Sequence, residues 1–131
     1  PTSGLDPIVR RELLDKLRDI LQDEQKSIVF STHITSDLER VADYITCVHE
    51  GRILFCSPRE EIFERWGVVK ADEETLCGEI QPLLRGVRHG AYGCEALTND
   101  IEAARALLPS EAVVEKASLE DIVVLLQTEE R

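Results

Sequence analysis

The chain has 131 residues, 43% of them hydrophobic and 31% charged, which describes a folded protein with one ordinary core or two small ones and excludes a disordered tail or a fibre. Its formal net charge of −11, from 26 acidic against 15 basic residues, argues against a generic grip on nucleic acid or on an anionic membrane surface. No apolar run nears the roughly 20 residues that cross a bilayer, and the opening residues PTSGLDP are unlike a signal peptide, so a soluble, cytosolic protein is expected.

In chain order, the first predicted element is an amphipathic helix over residues 8–22. Its apolar positions Val9, Leu13, Leu14, Leu17, Ile20 and Leu21 recur at spacings of three and four, with Asp6 as N-cap and Pro7 at the first helical position. Residues 27–31, SIVFS, are apolar on both faces in the middle, the pattern of a buried strand in a parallel sheet. Ser36 and Glu39 have capping-box spacing and open a short helix that ends near Asp43, with Ile34 placed to staple its start. Residues 44–49 and 52–56 read as two strands joined tightly at Glu50 and Gly51. Ser57, Pro58 and Glu60 then cap a helix over 58–66 that Gly67 stops.

Beyond Gly67 the texture changes, and a subdomain boundary is expected there. Residues 68–70 form a short strand, 73–80 a helix, and 84–89 with 91–97 a glycine-punctuated hairpin. Asn99 with Glu102 caps a helix through Leu107, 112–115 is a strand, and Ser118 with Asp121 caps a final helix carrying Leu119, Ile122, Val123 and Leu126. The order βαββαβα is that of a small ferredoxin-like α+β unit. Four cysteines, Cys47, Cys56, Cys77 and Cys94, stand apart with no C-x-x-C pair, which disfavours a zinc knuckle or a thioredoxin-type redox motif and leaves reduced, packed thiols. Cys47, His49 and Cys56 could meet across the hairpin, but alternating strand residues are the ordinary explanation, and no metal ligand is assigned.

Two stretches carry a resemblance. Residues 1–7, PTSGLDP, pair a glycine that can turn sharply with an aspartate that can accept backbone hydrogen bonds. They resemble the D-loop of ABC ATPases in Ser3, Gly4, Leu5 and Asp6, although a cap leading into a helix would account for Asp6 and Pro7 by itself. Residues 27–53, SIVFSTHITSDLERVADYITCVHEGRI, resemble the H-loop region of the same family, in which a strand ends in Ser-Thr-His, a short helix follows and a hairpin closes with Gly-Arg. His33 falls on the switch histidine, which the resemblance implies contacts the γ-phosphate of ATP, and imidazole is chemically suited to donate to a phosphate oxygen. The resemblance is specific over residues 1–58. Further on, SLEDIV at 118–123 resembles the closing helix of the extra domain on ATPases of drug, antibiotic or ion export systems, with a plain capped helix as the alternative.

The resemblance implies an α/β fold: the C-terminal part of a RecA-like P-loop NTPase lobe over 1–66, followed by a ferredoxin-like α+β accessory subdomain over 67–131. It implies a part of the ATP-binding, ATP-hydrolysing subunit that powers an ABC membrane transporter, with export as the direction. ATP and Mg2+ would serve the intact subunit, the magnesium ligands lying outside this chain. Its partners would be a transmembrane permease and a second ATPase, in a homodimer or heterodimer, at the cytoplasmic face of the membrane, with no nucleic acid. Neither the phosphate-binding G-x-x-x-x-G-K-[ST] nor an LSGGQ-like signature occurs in these residues, and the family's catalytic glutamate would precede Pro1. The polypeptide is therefore expected to be a piece of a longer subunit that by itself neither hydrolyses ATP nor holds a cofactor tightly. It is also expected to self-associate through the helix at 8–22 and the strand at 28–31. Two alternatives stand beside this one: a regulatory or protein-interaction module from Val68 onward, and a truncated, non-enzymatic paralogue that acts by association.

Overall fold

The computed structural model describes residues 4–129, which divide into two compact units, one ending at Asp43 and the other starting at Tyr44. Among the described residues no helix is long and apolar enough to cross a membrane.

The first unit consists of helix α1, Pro7–Leu21, and helix α2, Thr35–Val41. The start of α1 is as the sequence implies: Asp6 Oδ1 accepts from the amides of Ile8 at 2.9 Å and Val9 at 3.0 Å, and Pro7 occupies the first turn. Among the described residues of this unit, Leu14, Val41 and Ala42 are the buried apolar ones. Two polar ties bind the helices: Arg10 Nε stands 3.5 Å from Asp37 Oδ1, and Arg18 Nη2 donates to the carbonyl of Arg40 at 2.6 Å. The second places a cation on the C-terminal turn of α2, where the helix dipole favours it.

Two expectations fail in this unit. Residues 27–31 form no strand, no described strand pairs with them, and Val29 is 99% exposed. An apolar run fits a parallel sheet, but a strand exists only where neighbours accept its hydrogen bonds. The Ser36–Glu39 capping box also does not form. Instead α2 begins at Thr35 with Ile34 at the cap position and no side-chain cap, and Ile34 N–H donates to Thr32 Oγ1 at 3.0 Å. A hydroxyl turn of this kind offers the chain another way to enter the helix.

The second unit opens with the predicted hairpin, β1 (Tyr44–His49) and β2 (Arg52–Pro58). Glu50 and Gly51 both adopt positive φ, at 49° and 76°, the pairing that a type I′ turn requires and that glycine tolerates best. Phe55 of β2 packs against Trp66 with ring centroids 5.9 Å apart, within the range of favourable aromatic pairs. Between them lies helix α3, Arg59–Arg65, which starts one residue later than expected and has no side-chain cap, because Ser57 and Pro58 complete β2.

The remainder is a four-stranded sheet with helices packed on it. Its strands are β3 (Gly67–Ala71), β4 (Leu84–Gly90), β5 (Gly93–Thr98) and β6 (Val113–Lys116), in the order β4-β5-β3-β6 with every neighbour antiparallel. Val69, Cys94 and Ala96 turn one way, into a cluster with Leu76, Ile80 and Ala104. Val68 and Leu97, which pair with each other one residue out of phase, turn the other way and are also buried. Burial on both faces explains why the central strands read as continuous apolar runs. The boundary expected between 66 and 67 falls inside this unit.

Three helices complete it: α4 (Glu73–Leu76), α5 (Ile101–Leu107) and α6 (Leu119–Glu129). The helix expected over 73–80 stops after one turn. Gly78 N–H closes back on the Thr75 carbonyl at 3.2 Å, and a 3-10 turn at Gln81–Leu83, containing Pro82, leads into β4; glycine and proline both oppose helix continuation. The cap of α5 lies one residue beyond the expected Asn99, since Asp100 Oδ1 accepts from Ala103 N–H at 3.0 Å. The box before α6 forms as expected: Ser118 N–H donates to Asp121 Oδ2 and Asp121 N–H to Ser118 Oγ, each at 3.1 Å. α6 packs along β4 and β5, and β4 carries a bulge between Arg85 and Val87 where the backbone of Gly86 lies close to Leu125 of α6.

Candidate functional site

His33 stands on an exposed bend just ahead of α2. The bend is held locally by the Thr32 hydroxyl turn, and its α2 end is anchored to α1 through Arg10–Asp37. An exposed imidazole in this position can offer a ring N–H to a phosphate arriving from outside the unit.

The other predicted site residues lie at the start of α1. Gly4 adopts φ 82°, Leu5 is 37% exposed, and Asp6 is exposed while its Oδ1 caps α1. Ser3 lies outside the described residues. Among those described, no hydrogen bond or ion pair joins His33 to Gly4, Leu5 or Asp6. The structure thus assigns Asp6 a definite local task, the capping of α1.

The pair that positions this region, Arg10 and Asp37, is not legible in sequence. Asp37 is buried, with its side chain 2% exposed, and Arg10 is a third exposed. A buried carboxylate needs such partners, but residues 27 positions apart give no local spacing signal.

The hairpin cysteines do not converge. Cys56 lies opposite Thr46 in the register, with Thr46 Oγ1 3.1 Å from Cys56 Sγ, while Cys47 lies opposite Phe55 and so faces the other side of the ribbon. Burial pushes the Cys47 thiol pKa up. Among the described residues no group of three or more His, Cys, Asp or Glu side chains could hold a metal ion.

Comparison with known proteins points to the same class as these motifs: over about half its length the chain is similar to ATP-binding proteins of ABC transporters. No family model matches it. The energy-coupling factor transporter ATP-binding protein EcfA2 of Lactococcus lactis subsp. cremoris is 34% identical over 73 residues, 56% of this chain and 25% of the relative. The bacitracin transport ATP-binding protein BcrA of Bacillus licheniformis is 32% identical over 65 residues, 50% of this chain and 21% of the relative. The nickel import ATP-binding protein NikD of Pseudomonas putida is 34% identical over 85 residues, 65% of this chain and 32% of the relative. The chain thus covers between 21% and 32% of the length of these three.

Proposed function

We propose that the chain is the part of an ABC transporter ATP-binding subunit that carries the D-loop and the H-loop, followed by an accessory subdomain. The observation that carries this reading is the order and spacing of PTSGLDP and FSTHITSD around a single helix, in a sequence related to ABC ATP-binding proteins. In the intact subunit Ser3, Gly4, Leu5 and Asp6 form the D-loop, and His33 contacts the γ-phosphate of ATP bound with Mg2+. The subunit pairs with a second ATPase and docks on a transmembrane permease from the cytoplasmic side. Export rests on SLEDIV at 118–123 alone, since the relatives include one named for nickel import.

Residues 1–66 are the C-terminal part of a RecA-like lobe on this reading, and 67–131 a ferredoxin-like unit. Support for the second assignment comes from the strand order β4-β5-β3-β6: the first and third strands of the unit, β3 and β5, lie at the centre and all neighbours run antiparallel.

These 131 residues contain no phosphate-binding loop with lysine and no LSGGQ-like signature, so the polypeptide itself does not turn over ATP. Phosphate release by the purified 131-residue chain at rates typical of transporter ATPases, about 1 s⁻¹ or more, would refute that. The role of His33 is tested in the full-length subunit. There, His33→Ala lowers ATP turnover by at least about tenfold while ATP binding persists, and undiminished turnover counts against the assignment.

A further inference from the structure

The second unit has a hollow of about 380 Å³ between α4 and the β4–β5 hairpin, within the size range of about 300–1,000 Å³ typical of small-ligand sites. One wall is apolar, formed by Leu76, Leu84 and Val87. Leu76 is buried, and Leu84 packs against the core cluster, so this wall is anchored in the fold. The cross-strand pair His89, which is exposed, and Cys94, which is buried, also lines the hollow, with Cys94 Sγ 3.2 Å from His89 Nδ1.

The rim supplies the charge. Glu73, in the first turn of α4, is the one carboxylate lining the hollow, and no lysine or arginine lines it. Gln81 adds an amide oxygen that can accept a further hydrogen bond. The net charge of −11 reinforces the preference for a cation.

A second hollow, about 470 Å³ at the tip of the same hairpin, differs in kind. Its cations are neutralised within the protein: Lys70 pairs with Glu115 at 3.0 Å and Arg88 with Glu95. The remaining lining is mostly glycine and alanine beside a fully exposed Tyr92 and the same His89–Cys94 pair, which the two hollows share. It carries no directional preference for a ligand.

We propose that the hollow between α4 and the β4–β5 hairpin binds small organic ammonium compounds, with Glu73 receiving the ammonium group and Leu76, Leu84 and Val87 holding the apolar body. The site lies outside the D-loop and H-loop and does not depend on the ATPase assignment.

Amide NMR titration of the 131-residue protein with phenethylammonium, 2-phenylethanol and 3-phenylpropanoate tests this, because the three probes share an apolar body and differ in the charge of the head. Phenethylammonium produces saturable shifts at Glu73, Leu76, Leu84 and Cys94, with a Kd of about a millimolar for so small a molecule. The alcohol binds about threefold to tenfold more weakly and the carboxylate more weakly still. Glu73→Gln removes the preference for the ammonium over the alcohol, and Leu84→Ala weakens both. Three results would each overturn the proposal: no saturable shift with phenethylammonium, carboxylate binding as tight as ammonium binding, or an undiminished ammonium preference in a folded Glu73→Gln protein.

Discussion

Gly86 is the residue whose identity the fold constrains most visibly. It sits in the β4 bulge at φ 59°, and a Cβ placed on it would lie 1.9 Å from the carbonyl oxygen of Leu125 in α6. Gly86→Ala must therefore move α6 or β4 as well as strain the backbone, and a loss of at least about 2 kcal/mol is expected in urea denaturation. Asp6 is constrained through its carboxylate oxygen. Asp6→Ala should destabilise the first unit by about 1 kcal/mol, while Asp6→Asn, which keeps a capping oxygen, should cost much less. His33→Ala should leave stability within about 0.5 kcal/mol of the parent, as befits an exposed bend residue; a larger drop in thermal melting would mean that His33 is structural. Of these residues, Asp6 was legible from sequence because a cap acts on amides two and three positions away. Gly86 was not, since its requirement comes from a carbonyl on another helix.

At the scale of elements, the single turn of α4 has a side-chain cap where α2 and α3 have none. Asp72 accepts from Thr75 N–H at 2.7 Å at the start of α4, and hydrogen bonds from Thr75 hold its carboxyl pKa below the usual value. A depressed folded pKa contributes stability above the unfolded pKa, and that contribution is lost as pH falls through the folded value. The melting difference between the parent protein and Asp72→Ala should therefore be widest near neutral pH and shrink below about pH 4. A difference that grew on acidification would contradict the cap.

The hairpin at Tyr44–His49 and Arg52–Pro58, the cap of α1 and the box of α6 were all readable, because each is written in residues a few positions apart. Residues 27–31 were misread for the opposite reason. Their apolar pattern describes what a sheet would accept, and no described strand is there to accept it.

For the molecule as a whole, that unpaired stretch has a consequence. Val29 at 99% exposure and Ile8 at 72% leave apolar surface in the first unit, along with backbone that no ladder satisfies. Self-association of the 131-residue protein is the expected outcome. Light scattering should show an average mass that rises with micromolar concentration, whereas a constant monomer mass would exclude it.

Local hydrogen bonding and periodicity sufficed to locate the start of α1, the tight hairpin turn and the box before α6. Those features depend on neighbours in the chain, and an amide finds its cap within three residues wherever the chain goes. The register of the β4-β5-β3-β6 sheet, the Arg10–Asp37 tie and the hollow between α4 and the β4–β5 hairpin emerged only in three dimensions. Each joins residues from separate elements, brought together by the packing of whole helices and strands, so no local spacing announces them.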